Sequence, residues 1–151
     1  MPLTFRDATD ADLPFIVGLI VEDTVISTND SVADAMHADY RNALAAMTAD
    51  PNNRMIVAEL DGEPVGCIQL TFLPGLMRRG MWRTLVEVVH VAADHRGKGV
   101  GGEMMRWVIE ESRRRGCGMV QLTSNKKRPD AHRFYERLGF ARSHEGFKLY
   151  L

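Results

Sequence analysis

A chain of 151 residues, 45% of them hydrophobic, has the size of one domain, residues 1–151, with a proper core. No stretch approaches the ~18 consecutive apolar residues that cross a membrane, and Met1-Pro2-Leu3-Thr4-Phe5-Arg6 lacks the basic head and apolar run of a secretory signal. The net charge of −1 is unevenly split: residues 1–50 hold nine acids and two arginines, net −7, which leaves +6 for the remainder.

Residues 3–6 alternate and are expected to form a first strand. Thr9 can cap a helix whose first turn holds Asp10 and Asp12 and which continues through Phe15, Ile16, Leu19 and Ile20. Ser31, with Asp34 three residues on, offers the cap of a second helix carrying Met36, Tyr40, Leu44 and Met47. The stretch between them, residues 23–30, is polar and without a clear period. Residues 55–60 and 65–72 read as strands joined by Asp61-Gly62, a tight-hairpin signal. Pro74-Gly75 breaks the chain, and residues 77–81 are expected to be a mobile basic loop.

Residues 85–91 are apolar and β-branched apart from Glu87 and His90, the pattern of a well-buried strand. After a glycine-rich turn, Val100, Met104, Trp107 and Val108 recur at helical spacing, and the helix closes on Arg113, Arg114 and Arg115 before Gly116. Residues 119–123 form a further strand. Residues 125–129 are a polar connector to a helix over about 130–138, opened by Pro129 and stopped by Gly139. Two last strands, about 140–144 and 147–151, are expected to turn at Glu145-Gly146.

Strand, glycine turn and helix together make a device for holding phosphate. In Arg96-Gly97-Lys98-Gly99-Val100-Gly101-Gly102 the glycines let the backbone approach an anion, and the N–H groups of the helix start point at it. Gly97-x-Gly99-x-x-Gly102 also satisfies the dinucleotide-binding pattern. No carboxylate ends the next strand to hold a ribose, however, and too little chain follows for a doubly wound sheet. A Walker loop is excluded because no Gly-Lys-Ser/Thr triplet follows the glycines.

Arg96-x-x-Gly99-x-Gly101 after Glu87-Val88-Val89-His90-Val91 resembles the pyrophosphate-binding motif of the GNAT superfamily, the Gcn5-related N-acetyltransferases. A second block, Ala131-His132-Arg133-Phe134-Tyr135-Glu136-Arg137-Leu138-Gly139-Phe140, is similar to that family's C-terminal signature. The element order extends the resemblance over nearly the whole chain. It implies an α/β (α+β) fold, a mixed and mostly antiparallel sheet with helices on both faces, and acetyl-CoA as acetyl donor. Within that resemblance, residues 96–102 (Arg96, Gly97, Lys98, Gly99, Val100, Gly101, Gly102) would hold the pyrophosphate. Backbone groups of Val89, His90 and Val91, on a bulged strand that splays from the next, would pair with the pantetheine arm. Phe134 and Asn125 would also line the cofactor; many relatives carry an Asn where this chain has Arg128, so Asn125 or Arg128 itself would take over that contact. The segment between the first two helices would line the acceptor pocket.

Acetyl transfer to an amine needs a neutral nucleophile and a proton for the leaving thiolate. The resemblance gives the proton donor as Tyr135, whose phenol (ordinary pKa ~10) can protonate a thiolate whose thiol pKa is about 8.5. Glu87 is the candidate base, acting through water; His90 could share the task, but its neighbours Val89 and Val91 suit a core or edge histidine. Cys67 and Cys117 fall in no nucleophile motif, so direct attack of a primary amine on the thioester is expected, and as free thiols they suit a reducing, cytoplasmic location. His37, His90, His95, His132 and His144 show no metal-ligand spacing, so no metal is expected. Trp82 and Trp107 lack a basic-aromatic stripe, which speaks against nucleic acid.

The reading is an acetyl-CoA-dependent N-acetyltransferase acting on a small cationic or amino-acid-like amine. The acidic first third suits a cation, although solvated helix faces give the same charge pattern. A protein amine as acceptor and a non-catalytic acetyl-CoA-binding module remain the alternatives. Homodimers are common among such small acyltransferases, but no sequence feature marks one here.

Overall fold

Five apolar stretches pair into one sheet, order β1-β2-β3-β4-β5, in a computed structural model that describes residues 2–22 and 28–151. The strands are β1 (Thr4–Asp7), β2 (Asn53–Leu60), β3 (Glu63–Leu73), β4 (Arg83–Val91) and β5 (Met119–Leu122). Neighbours run antiparallel as far as β4, and β5 lies parallel to β4. Asp61 (φ 52°) and Gly62 (φ 83°) make the β2–β3 turn, both left-handed as a tight hairpin requires.

β2 reads Met55-Ile56-Val57-Ala58 without alternation because both of its faces are covered. Ile56 and Ala58 join Leu70, Phe72 and Val86 beneath α4 (Val100–Arg114), which contributes Met104, Met105 and Val108. Met55, Val57 and Cys67 face the other way, against Leu13, Ile16 and Leu19 of α1 (Leu13–Val21) and Leu44 of α2 (Ala38–Ala49). Each fully buried Leu, Ile, Met or Phe here contributes about 1.5–3 kcal/mol, so two helical layers grip the sheet from opposite sides. One polar chain crosses the first core: Thr84 Oγ1 donates to Ser112 Oγ (2.7 Å), which donates to the Val108 carbonyl (2.7 Å), tying β4 to α4. α5 (Pro129–Arg137) adds Phe134 and Tyr135 to the edge of that core, and its C-cap Leu138 joins them.

The first strand is pinned to α1 by charge. Arg6 reaches both oxygens of Asp12 (2.8 Å each) and Glu59 (3.0 Å), while Asp12 accepts the Thr9 N–H (2.8 Å). The Arg6 hydrogen bonds hold the Asp12 carboxyl below the ordinary carboxylate range, against the opposing effect of burial. A depressed folded pKa means this stabilisation is complete above the ordinary value near ~3.9 and is lost as pH falls through the lower folded value. Asp12→Ala is therefore expected to lower unfolding stability by about 2 kcal/mol near neutral pH, less than a fully buried pair because the Arg6 side chain is 38% exposed. Urea denaturation at neutral and strongly acidic pH checks this: the gap between variant and native chain should shrink in acid.

Three expectations require correction. α2 begins at Ala38, not near Ser31, and its cap is His37, whose Nδ1 accepts the Asp39 N–H (3.1 Å). Ser31 opens only a three-residue 3-10 turn, Val32–Asp34, because the extended backbone of His37 (ψ 147°) interrupts the helix and leaves Met36 outside it, 49% exposed. Within the expected basic loop, α3 (Met77–Gly80) is one turn with Arg78 (φ 53°) and Arg79 (φ 60°) left-handed, rather than structureless. The two last strands do not form: residues 140–151 carry no strand pairing. Alternation there supplies strand propensity, but a strand also needs an edge to pair with, and this segment is not laid on β5.

Candidate active site

β4 departs from regular strand geometry at one residue. Val88 has φ 52°, a left-handed conformation that a β-branched residue takes only when its surroundings impose it. Gln69 of β3 faces Glu87, and Cys67 faces His90, so β4 carries one residue more than β3 between these pairs. This is the β-bulge the family resemblance implied. The Cys67 thiol donates to the Val88 carbonyl (3.6 Å), and Gly66 makes room beside it. A side chain at Gly66 would place Cβ 2.8 Å from both the His90 carbonyl oxygen and Met104 Sδ. Gly66→Ala should therefore displace the bulge or Met104 and lower the melting temperature by several degrees, about 1–3 kcal/mol, in a thermal scan.

On its other side β4 loses its neighbour at the same level. The parallel ladder ends at Val86–Leu122, while β4 continues to Val91. Val89, His90 and Val91 thus run along a side of β4 that β5 does not cover, and they lead directly to the glycine turn. Gly97 (φ 73°) and Gly99 (φ 81°) are left-handed there, with nothing within 4 Å of where a Cβ would stand. Gly99 is the N-cap of the 15-residue α4, whose first N–H groups have no intrahelical acceptor and lie at the positive end of its dipole. Open space, glycine backbone and a helix N-terminus fit a pyrophosphate.

The side chains around this turn divide by role. Val100 is buried in the core, so only its backbone faces the turn. A Cβ on Gly101 would lie 3.5 Å from the Phe134 ring, which brings α5 against the start of α4; Gly102 lies beside the Arg106 guanidinium, 3.3 Å from its own Cβ position. Lys98 is exposed. Arg96 is less available than its motif suggests: Nε donates to the Val91 carbonyl (3.0 Å) and a terminal nitrogen pairs with Glu22 (3.2 Å). It staples the ends of β4 and α1 together while keeping its charge at the turn. Asn125 is exposed, and its side-chain oxygen accepts the Lys127 N–H (2.9 Å), closing its own turn; Arg128 stands at the N-cap position of α5.

Tyr135 stands edge-on to Phe134 (centroids 5.1 Å apart) and to Phe140 (5.8 Å), and its hydroxyl makes no hydrogen bond among the described residues. Burial raises its pKa above the ordinary tyrosine value, with Arg128 pulling weakly the other way. The phenol therefore stays protonated through the physiological range. Glu87 is exposed on β4, one residue after Val86 turns into the α4-side core, so it faces the side of α1 and α2. Cys67 is fully buried and its thiol is pushed up to about 12 by desolvation, which leaves no thiolate to act as nucleophile. On the α1–α2 side, residues 23–27 lie outside the described residues. Asp30, held by Thr28 and by the Tyr40 hydroxyl, lines a shallow hollow with Asn29, His37 and Asp39.

Comparison with known proteins agrees with this geometry. The sequence model of the Acetyltransferase (GNAT) family matches residues 19–140. The chain is 33% identical to an aminoalkylphosphonate N-acetyltransferase of Salmonella typhimurium over 142 residues, 94% of this chain and 87% of that protein. It is 31% identical to a glucosamine 6-phosphate N-acetyltransferase of Trypanosoma brucei brucei, over 95% of this chain and 91% of that one. A crystal structure described as a transcriptional regulator from Bacillus halodurans C-125 superposes with a TM-score of 0.93 at 39% identity, covering 99% of this chain and 100% of that one. The fold and the paired motifs are those of an acyl-CoA-dependent transferase. The chain belongs to the GNAT acetyltransferase family, and its enzyme class is N-acetyltransferase.

Proposed function

We propose that this N-acetyltransferase takes acetyl-CoA as donor and acetylates the primary amine of a small, amino-acid-like molecule by direct attack. The observation that carries this reading is the bulge at Val88, set where β4 outruns β5 and feeds the glycine start of α4. In that reading backbone N–H groups of residues 96–102 hold the pyrophosphate, with Arg96 and Lys98 adding charge, and Val89, His90 and Val91 align the pantetheine arm. Phe134, whose ring lies against Gly101 at the start of α4, and Asn125 would contact the cofactor in the same reading. The donor supplies an activated acetyl group with a thiolate leaving group.

The protein's own residues then manage two protons. Glu87, on the α1–α2 side of the sheet, takes a proton from the ammonium through water, because a protonated amine cannot attack. Tyr135, neutral in its half-buried site, gives its proton to the departing sulfur. The silent thiol of Cys67 supports a single transfer without an acyl-enzyme. The names of two relatives support an acceptor that joins an amine to a phosphonate or phosphate group. The acidic hollow beside Asp30 and Asp39 supports a cationic amine end. Two free cysteines favour a reducing, cytoplasmic setting, and no helix among the described residues is long and apolar enough to cross a membrane.

Release of CoA thiol, followed against aminoalkylphosphonates, amino-sugar phosphates, amino acids, polyamines and aminoglycosides, tests the acceptor. Turnover with a small amine is the expected result, and the best substrate names the class. A second reading, an acetyl-CoA-binding module without turnover, draws on the likeness to a protein described as a regulator. It would gain if the whole panel were silent while acetyl-CoA still bound.

A further inference from the structure

The loop between β3 and β4 holds a shape that a plain connector does not require. Arg78 (φ 53°), Arg79 (φ 60°) and Gly80 (φ 78°) are left-handed in succession, a costly backbone for the two arginines. The Gly80 N–H donates to the Leu76 carbonyl (3.1 Å) and the Met81 N–H to that of Met77 (3.2 Å), which closes the turn. What the closed turn presents is apolar: Leu76 is 96% and Met77 82% exposed.

The end of α4 packs against the root of this loop. The Gly118 N–H donates to the Trp82 carbonyl (2.9 Å), and a Cβ on Gly118 would stand 2.7 Å from the Met81 side chain. One pole of the molecule therefore gathers residues 74–83 and 113–119, which hold six arginines and no acid. Glu110 and Glu111 pair with Arg113 and Arg114 from the preceding turn of α4. Arg78, Arg79, Arg83 and Arg115 form no ion pair among the described residues. Trp82 and Met119, at the same end of the sheet, are each 38% exposed.

We propose that this pole docks on an anionic lipid bilayer, Leu76 and Met77 entering the interfacial layer while the arginines meet lipid phosphates. Charge and shape together choose the occupant. Two such poles repel each other, so a second copy of this chain does not cover it. A nucleic acid offers phosphates but nothing apolar for Leu76 and Met77. A bilayer offers both at the matching depths, phosphate outside and hydrocarbon beneath, and it takes a projecting tip without a preformed pocket. Trp82 stands at the level where tryptophan anchors proteins to the interface. The chain would lie on the surface, and no helix among the described residues is long and apolar enough to cross it. β4 runs its nine residues from this pole toward the glycine turn, roughly 26 Å at ~3.3 Å per step. Docking thus leaves the glycine turn open to water.

Co-sedimentation of the full chain with vesicles of phosphatidylglycerol and phosphatidylcholine, against vesicles of phosphatidylcholine alone, is the first test. Binding at least about tenfold tighter to the anionic vesicles is expected, weakening as salt rises from ~0.1 M to ~1 M. Each basic residue near an anionic surface strengthens binding roughly fivefold, so R78Q/R79Q should lose about 25-fold. L76S/M77S leaves the charge unchanged and should lose at least about tenfold, because it removes the inserted tip. Equal binding to both vesicle types, or anionic-vesicle binding unchanged in either double variant, would overturn the proposal. So would polyglutamate or duplex DNA bound as tightly as the anionic vesicles and weakened alike by L76S/M77S. Should a double variant fail to fold by circular dichroism, bilayers with brominated acyl chains still decide: they are expected to quench Trp82 emission of the native chain, read against Trp82→Phe. Vesicle-bound protein whose Trp82 emission is untouched would overturn the assignment of this pole. CoA thiol release in solution should be the same for the double variants, so this test and that of the proposed function fail independently.

Discussion

Tyr135→Phe is expected to lower kcat by about 10²–10³-fold while leaving the dissociation constant for acetyl-CoA within about twofold. The reasoning is local. The ring makes edge-on contacts with Phe134 and Phe140 that phenylalanine preserves, and the hydroxyl makes no hydrogen bond among the described residues that the variant would break. What is removed is one dissociable proton, kept in place by burial. Because burial raises the phenol pKa, the native enzyme should not lose activity through Tyr135 ionisation below about pH 10. Steady-state rates with the best acceptor, paired with calorimetric titration of acetyl-CoA, separate the two parameters. A fall in kcat of only a few fold would move the proton donation to another group.

Glu87→Gln should lower kcat/KM for the acceptor by about 10²-fold near neutral pH, with the deficit shrinking as pH rises. The sign follows from the substrate. An alkylamine with a pKa near ~10 is almost entirely protonated at neutral pH, and a base is needed to take that proton. As pH climbs, the free amine supplies itself and the carboxylate matters less. Glu87 is suited to this role by position: it follows Val86 onto the α1–α2 face, it is exposed, and it forms no ion pair among the described residues. A pH–rate profile of the variant that parallels the native one at every pH would assign the base elsewhere, with His90 the nearest candidate on β4.

Most of the architecture is legible in the residues because burial writes itself into sequence. The unbroken apolar run at Met55-Ile56-Val57-Ala58 and the helical spacing of Val100, Met104 and Val108 are direct images of which faces are covered. Gly62, Gly116 and Gly139 mark left-handed turns that other residues avoid. The bulge is different. Val88 is β-branched, and every local preference assigns it to regular strand, so the residues themselves do not disclose a φ of 52°. Only the family resemblance pointed to it, and the cause is tertiary: a close-packed Gly66, the Cys67 contact and the ladder that stops at Val86.

Side chains of the candidate site also have contacts that the motif does not disclose. Arg96 reads as a phosphate ligand from its motif, yet its guanidinium is engaged by Glu22, 74 positions earlier, and by the Val91 carbonyl. Asn125 has the right chemistry to reach a cofactor, but its side-chain oxygen is committed to the Lys127 N–H within its own turn. The end of the chain has the alternation of a strand but is not laid on the outer edge of β5. Pattern gives propensity; a partner decides whether the element forms.

The most direct measurement is calorimetric titration of acetyl-CoA into the native chain and into Gly99→Val. Gly99 is left-handed at φ 81° with open space around it, so a valine there both strains the turn and blocks the approach of an anion to the start of α4. Binding to the native chain, weakened at least about tenfold in the variant with the fold intact by circular dichroism, is the expected result; tenfold corresponds to ~1.4 kcal/mol. Native protein that gives no heat with acetyl-CoA, or a variant that binds as well as the native chain, would contradict the assignment of the glycine turn as the pyrophosphate site.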